Sequence, residues 1–192
     1  MIIACDIDGV FANFEDAFRD LARSIFGDRP VADYKPSDWN WSDSGLTPEE
    51  ISIAWERLKA TDDFWLRLQS YHDVAPYLVK RAYNEAVLLF PTSRVPSAGL
   101  PITQQSSRWL ANAFGIDFPT VFVTSNKGPL AAALKYDYFI DDRDKNVIDV
   151  KDASPSTKVY LLDKPYNQSV TRPDIIRVKT VNEFLRRALA GV

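Results

Sequence analysis

The sequence has little of the residues on which several kinds of functional site depend. Its 192 residues include one cysteine and one histidine. A lone cysteine excludes an internal disulfide, and Cys5, which lies inside an apolar run, is expected to be a buried core residue in a reducing compartment. A single histidine, His72, gives little support to a catalytic triad or to a zinc site with histidine ligands.

Long apolar runs and an excess of basic charge are also missing. No run approaches the roughly 20 apolar residues that a membrane-spanning helix needs. The formal net charge is −3, which does not indicate a surface that would follow a nucleic-acid backbone. The opening apolar run is too short and is followed by too much acidic charge for a signal peptide. We therefore expect a cytoplasmic protein that binds neither a membrane nor a nucleic-acid polymer.

Hydrophobic residues make up 46% of the chain, which is ample for a folded core. Apolar runs typical of buried strands occupy residues 1–5, 86–90, 120–124, 138–140 and 158–162. Helical patterns lie between most of them, so the strands are expected to pair in parallel with right-handed crossovers. The sequence therefore predicts an α/β fold, a three-layer Rossmann-like parallel sheet, with ligands bound at the carboxyl ends of the strands.

Three helices carry clear boundary signals. The segment "SSRWLANAFG" has one apolar face and ends at Gly115. In "TPEEISIAWERLKA", Thr47 is a predicted N-cap and Glu50 completes a capping box. Near the end of the chain, Thr180 and Glu183 are predicted to form a second capping box.

Nearly 80 residues separate the first two predicted strands, far more than one crossover needs. The interval is largely helical, and it predicts a helical cap over residues 15–75, inserted after the first strand. Residues 1–14 and 76–192 would then form the catalytic core. The predicted cap contains four tryptophans, Trp39, Trp41, Trp55 and Trp65, which are expected more often to pack than to contact a ligand.

Polar side chains follow four of the predicted strands. They are Asp6 and Asp8, then Thr92 and Ser93, then Lys127, and then Asp141 and Asp142. Because parallel strands end at the same edge of a sheet, these side chains are expected to converge. Crowded carboxylates require a cation, and oxygen ligands favour Mg²⁺. One aspartate could then attack a phosphoryl group while another transfers protons and the lysine and hydroxyls stabilise the charge.

The same acidic segment superficially matches a calcium-binding loop. "DRDKN", from Asp142, has the alternating start of such a loop. The sixth position should be glycine and is Val147, and the twelfth should be glutamate and is Ala153. This alternative is therefore rejected.

In order along the chain, "DIDGV", Thr92, Lys127 and "IDD" resemble the four motifs of the haloacid dehalogenase superfamily of phosphatases. Within it, the chain is most similar to the 5'(3')-deoxyribonucleotidase family. The segments that carry this resemblance are "DIDGVFANFEDAF", "FPTSR", "SSRWLANAFGIDF", "SNK", "YFIDDRDKNV" and "LLDKPYNQ".

The resemblance implies roles for the polar residues at the strand ends. Asp6 would be the nucleophile and Asp8 the general acid and base. Mg²⁺ would bind the Asp6 carboxylate, the Asp8 backbone carbonyl and Asp141, and Asp142 would support waters or Lys127. Thr92, like Lys127, would hold the phosphate.

The resemblance also implies a substrate pocket. Phe14 matches an aromatic residue that lines the nucleobase pocket in that family, and Phe64 and Trp65 match cap aromatics more loosely. Ser93 and Arg94 would lie beside the phosphate. Arg94 stands where the animal enzymes are expected to have proline, a departure that concerns selectivity for base and sugar and leaves the catalytic set intact.

The predicted function is Mg²⁺-dependent hydrolysis of (deoxy)ribonucleoside monophosphates through an aspartyl-phosphate, by a chain that could form a homodimer. One alternative is a phosphatase of the same fold that acts on another small phosphomonoester, such as a sugar phosphate. A second is a phosphorylatable receiver-like switch, although the motif order speaks against it. A third is a catalytically silent binding module.

Overall fold

A computed structural model describes residues 1–27, 40–42 and 44–191 of the chain. Six strands form one parallel sheet in the order β3-β2-β1-β4-β5-β6. Their bounds are β1 Ile2–Cys5, β2 Val87–Thr92, β3 Thr120–Val123, β4 Tyr138–Asp141, β5 Lys158–Leu162 and β6 Ile175–Val178. The predicted α/β fold with a parallel sheet is confirmed.

Seven α-helices connect and cover the strands in the described part of the chain. They are α1 Phe14–Phe26, α2 Pro48–Lys59, α3 Pro76–Glu85, α4 Ile102–Phe114, α5 Lys127–Leu134, α6 Asp144–Ala153 and α7 Val181–Leu189. Two single 3₁₀ turns lie at Phe64–Leu66 and Pro165–Asn167. None of the helices in the described residues has the length and apolar character needed to cross a bilayer.

Five of the six strands were predicted, and β6 was missed. It is a four-residue edge strand, "IIRV", that pairs only with β5. Arg177 interrupts its apolar pattern, and the guanidinium contacts Asp163 and Asn167 at 2.8 and 2.7 Å. A short edge strand with a charged residue in it lacks the apolar run by which the others were recognised.

The helix boundaries follow the predicted signals with one exception. Thr47 caps α2, and the reciprocal bonds with Glu50 confirm the capping box. Thr180 caps α7 by accepting from the backbone N–H of Glu183 at 3.1 Å. The second capping box is wrong, because the Glu183 carboxylate accepts instead from the backbone N–H of Lys179, at 3.0 Å.

Between β1 and β2 the described residues contain helices, a 3₁₀ turn and connections, with isolated bridges joining Ala12 to Asp8 and to Ser70. One apolar cluster runs from the sheet into this region and includes Ile3, Phe18 and Leu58. The division into a core at 1–14 and 76–192 and a cap at 15–75 stays a prediction. Trp39 lies outside the described residues, whereas Cys5 is buried as expected.

Candidate active site

The carboxylates are brought together by the two central strands of the sheet. β1 pairs with β4, and the Asp6 backbone N–H donates to the carbonyl of Ile140 at 3.0 Å. Asp141 is the last residue of β4 and Asp142 follows it. Carboxylate oxygens of Asp6, Asp141 and Asp142 all lie within 4.8 Å of one another, and all three residues are buried. Such a set of hard oxygen atoms is able to hold a metal ion.

Lys127 is the cation that pairs with the acid cluster. It is the first residue of α5, and its Nζ lies 2.6 Å from both Asp6 Oδ1 and Asp141 Oδ2. Burial alone would lower the pKa of this ammonium, but the negative charges of Asp141 and Asp6 outweigh burial and raise the pKa. Lys127 therefore stays charged while fully enclosed.

Asp141 is saturated with donors. Its Oδ1 accepts from the backbone N–H of Arg143 at 2.9 Å, and its Oδ2 accepts from Lys127 at 2.6 Å. The side-chain amide of Asn146 contacts both oxygens, at 3.1 and 3.0 Å. These bonds fix the carboxylate and engage both of its oxygens with protein donors.

Asp142 has other hydrogen-bond partners than Asp141. Its Oδ2 accepts a hydrogen bond from the hydroxyl of Tyr166, and its backbone carbonyl accepts from Asn167 Nδ2 at 2.7 Å. Its Oδ1 is buried and has no hydrogen-bond partner among the described residues. Gly9, at φ +79°, passes directly beside this carboxylate, and a Cβ there would overlap it. The chain thus leaves one buried carboxylate oxygen available to a ligand.

Burial and mutual repulsion shift the acidities of the cluster. Burial is the largest effect on Asp6, and it raises the pKa of Asp6 from 3.8 to about 7 even though Lys127 lowers it. Burial also raises the pKa of Asp142 well above its ordinary value, with further contributions from the charges of Asp141 and Asp6. Two carboxyl groups of the cluster therefore resist ionisation unless a cation joins them.

Asp8 lies at the pocket and is paired with Arg94. Arg94 Nε donates to Asp8 Oδ2 at 2.9 Å, and Arg94 Nη2 donates to Asp8 Oδ1 at 2.8 Å. The Arg94 side chain is completely buried, whereas that of Asp8 is 15% exposed. Asp8 thus pairs with Arg94, whereas Asp6 and Asp141 pair with Lys127.

The two predicted hydroxyls at the end of β2 differ in their surroundings. Thr92 is fully buried, and its Oγ1 has no hydrogen-bond partner among the described residues. Ser93 is exposed at the pocket, and its hydroxyl donates to the carbonyl of Thr124 at 3.0 Å.

Three aromatic side chains, Phe14, Trp55 and Trp65, form one wall of the pocket, the aromatic wall. Phe14 lies 5.7 Å from Trp55 and 5.6 Å from Trp65 between ring centroids, with interplanar angles of 28° and 23°. Trp65 is fixed by its indole N–H, which donates to the carbonyl of Val95 at 2.9 Å. Trp55, which α2 carries, is only partly buried and also lines the pocket.

The structure brings most of the predicted residues to one pocket. Its lining includes Asp6, Asp8, Phe14, Trp65, Ser93 and Arg94, with Thr92, Lys127, Asp141 and Asp142 buried nearby at the strand ends. Phe64 is the exception, since it packs against Phe14 and Trp65 and is not among the described lining residues.

Sequence reasoning missed four residues of the lining, which are Trp55, Val95, Arg143 and Asn146. The sequence favours packing over ligand contact for Trp55, because helical periodicity alone does not distinguish a core aromatic from one at a pocket wall. Asn146 follows Asp141 by five residues, and this spacing places its amide on the first turn of α6, beside the carboxylate.

Comparison with known families agrees with this geometry. A family model described as 5' nucleotidase, deoxy (pyrimidine), cytosolic type C protein matches residues 1–188. The search of curated proteins returned no match.

Solved structures share the fold at low sequence identity. A HAD family hydrolase from Deinococcus radiodurans R1 with bound phosphate and sodium has a TM-score of 0.60 and 12% identity, over 99% of this chain and 95% of that one. The L-2-haloacid dehalogenase from Xanthobacter autotrophicus, with chloropropionic acid covalently bound, has a TM-score of 0.55 and 13% identity, over 100% and 99%. A HAD-superfamily hydrolase of subfamily IA from Geobacter sulfurreducens has a TM-score of 0.56 and 13% identity, over 97% and 95%.

Proposed function

Because this chain belongs to the cytosolic type C deoxy (pyrimidine) 5'-nucleotidase family of haloacid dehalogenase-type hydrolases, we propose that it hydrolyses (deoxy)ribonucleoside monophosphates to nucleoside and phosphate. The observation that carries the proposal is the pocket itself. The buried Asp6 lines it and pairs with the enclosed Lys127, and aromatic rings form its wall. A phosphate fits the first environment and a nucleobase the second.

The charges of the site support Mg²⁺ as the cofactor. Asp6, Asp141, Asp142 and Lys127 are buried together, and when all four are ionised the three carboxylates and one ammonium carry a formal charge of −2. A divalent cation neutralises that charge. Because Asp141 is saturated and Asp142 Oδ1 is not, Asp6 and Asp142 are the carboxylates that would hold the ion, with Asp141 fixing Lys127. Bound there, Mg²⁺ would neutralise phosphoryl oxygens.

In the first half-reaction, a carboxylate oxygen of Asp6 attacks phosphorus, and the bond between phosphorus and the ester oxygen breaks. Asp8 donates a proton to the departing nucleoside oxygen. Lys127 and the Thr92 hydroxyl stabilise charge on the transferring phosphoryl group. In the second half-reaction, Asp8 takes a proton from water, which attacks phosphorus, releases phosphate and regenerates Asp6.

The aromatic wall supports a nucleotide rather than a sugar phosphate as substrate. Stacking a base on an aromatic ring is worth about 1–3 kcal/mol. Trp55 is the most accessible of the three rings at the pocket, whereas Phe14 and Trp65 are buried to 9% and 2% exposure. Trp55 is therefore the residue best placed to contact a base, with Phe14 and Trp65 supporting it.

The test is release of inorganic phosphate from a panel of ribo- and deoxyribonucleoside 5'- and 3'-monophosphates and sugar phosphates. We expect turnover of nucleoside monophosphates with Mg²⁺ and none with EDTA. Asp6→Asn should abolish turnover in a folded protein, whereas Asp149→Asn, which changes an aspartate ion-paired to Lys145 on α6, should not. Preference for sugar phosphates, or full activity of Asp6→Asn, would contradict the proposal.

A further inference from the structure

We propose that Arg94 is a positioning residue that orients the Asp8 carboxylate for its part in the reaction, and that it does not itself hold the phosphate. This inference rests on the proposed phosphatase function and adds a residue to it. Sequence reasoning placed Arg94 beside the phosphate, but the contacts of its guanidinium point elsewhere.

The hydrogen bonds of Arg94 are directed at Asp8 and at the protein behind it. Nε and Nη2 form a two-point contact with the Asp8 carboxylate, at 2.9 and 2.8 Å, and Nε also lies 3.2 Å from Asp8 Oδ1. Nη1 donates to the hydroxyl of Ser106 on α4, at 3.1 Å. A planar guanidinium that binds a carboxylate at two points fixes the plane of that carboxylate as well as its distance.

Arg94 is itself immobilised by two indole rings. Its Cζ lies 4.8 Å from the centroid of the Trp65 ring and 5.7 Å from that of Trp109. Both indoles are fixed, because Trp65 donates to the carbonyl of Val95 and Trp109 to that of Leu68, at 2.9 and 2.8 Å. With no exposed surface on its side chain, Arg94 is a rigid support.

Asp8 needs such a support because the chain bends sharply around it. Gly9, the next residue, has φ +79°, and Asp8 lies 15% exposed at the pocket edge. A carboxylate on a turn at the pocket edge would otherwise sample several side-chain rotamers. Holding a reacting group in one orientation lowers the entropic cost of the chemical step.

An arginine that binds the phosphate would have a different arrangement of contacts. Arg94 would then present free N–H groups to the place where the phosphoryl group lies, close to Lys127. Each of the three guanidinium nitrogens already has a protein partner, which uses three of the five N–H groups, and two of these nitrogens are bound to the carboxylate that transfers the proton. The contribution of Arg94 should therefore appear in the rate of the chemical step rather than in substrate binding.

The experiment is a double-mutant cycle between Arg94 and Asp8, with kcat and KM measured on a nucleoside monophosphate and on p-nitrophenyl phosphate. Arg94→Met keeps the apolar stem between the indoles and removes the guanidinium. We expect it to lower kcat about 10- to 100-fold while KM changes less than about threefold. In an Asp8→Asn background, the same change should lower kcat less than about threefold, because Arg94 acts through Asp8.

Two further variants separate positioning from packing. Arg94→Lys retains the positive charge and an ammonium with three N–H donors but loses the planar fork, and it should recover part of the kcat that Arg94→Met loses. Equal kcat values in the two variants would indicate a packing role only. Arg108→Met, an exposed arginine on α4, is the matched control and should leave kcat and KM unchanged. Thermal unfolding would verify that each variant is folded.

Other outcomes distinguish the two proposals. Arg94→Met could instead lower kcat equally in the wild-type and Asp8→Asn backgrounds and raise both KM and the inhibition constant of inorganic phosphate. That result would overturn the positioning role and assign Arg94 to phosphate binding. If the enzyme hydrolyses p-nitrophenyl phosphate but no nucleotide, the proposal of a nucleotide substrate is wrong. The double-mutant cycle of Arg94 and Asp8 can still be measured with p-nitrophenyl phosphate. A wild type inert toward both would overturn the proposed function, and the role of Arg94 with it.

Discussion

Asp6 and Lys127 are charged residues that the fold has enclosed, and each depends on the other. Removing a carboxylate from water costs several kcal/mol unless a partner compensates. Lys127 compensates Asp6 and Asp141 at 2.6 Å, but it is one cation among three buried carboxylates. Burial is the main reason why the pKa of Asp6 is raised, and the neighbouring carboxylates raise it further, so the metal-free site should respond to pH.

For the metal-free protein we expect the free energy of unfolding contributed by Asp6 to fall as pH rises from about 4 to 7. Folded Asp6 holds its proton up to a pKa of about 7, whereas the unfolded chain releases it near 3.8. Between these two pKa values the folded state binds more protons than the unfolded state. The stabilisation from Asp6 is therefore complete below the unfolded-state pKa and is lost as pH rises through the folded-state pKa.

Urea unfolding of the wild type and of Asp6→Asn in EDTA, from pH 4.5 to 8, would measure this contribution. The difference in unfolding free energy, wild type minus variant, should decrease with pH and become level above about 7. A difference that grows with pH would show that Asp6 ionises readily in the folded state, which would contradict the raised pKa.

The elements of the fold explain which parts of the site could be predicted from sequence. Asp6, Thr92 and Asp141 lie at or next to the ends of parallel strands, and chain topology alone brings such ends to one edge. Contacts between side chains remote in sequence could not be predicted in this way. Tyr166, which binds Asp142, is 24 residues from it, and no local pattern marks that pairing.

The aromatic wall likewise depends on a contact that the sequence of one helix does not predict. The periodicity of α2 is consistent with its buried face, which includes Ala54 and Leu58. It does not reveal that Trp55, one position away from Ala54, reaches the pocket, because this depends on how α2 packs against α1.

We expect Trp55→Ala to raise KM for nucleoside monophosphates about 5- to 160-fold, the range that corresponds to the loss of about 1–3 kcal/mol from one stacking contact. KM for p-nitrophenyl phosphate, which carries no nucleobase, should change much less, and kcat should be largely retained. Steady-state kinetics on both substrates would measure the effect. Ile53→Ala, which truncates a half-exposed residue of the same helix, is the control. Equal changes for both substrates would show that Trp55 supports the fold of the pocket rather than the base.

At the scale of the whole molecule, the acid cluster lies where the central strands meet the helical region that follows β1. β1 and β4 supply the carboxylates, α5 supplies Lys127, and the turn after β5 supplies Tyr166. A cation bound here would join Asp6 and Asp142, which are far apart in the sequence. Because a ligand that binds only the folded state stabilises it, metal binding should be measurable as a shift in global unfolding.

We expect Mg²⁺ to raise the midpoint of thermal unfolding at pH 7.5, measured by calorimetry without substrate. At 100 times the dissociation constant the stabilisation is about 2.7 kcal/mol, and each kcal/mol corresponds to about 2–4 °C in a protein of this size. Asp142→Asn should abolish the shift, because it removes the carboxylate whose Oδ1 has no partner among the described residues. Asp149→Asn on α6 should retain it. If Asp142→Asn keeps the full shift and Asp141→Asn loses it, Asp141 is the metal ligand, and Asp142 has the supporting role that the family resemblance first implied.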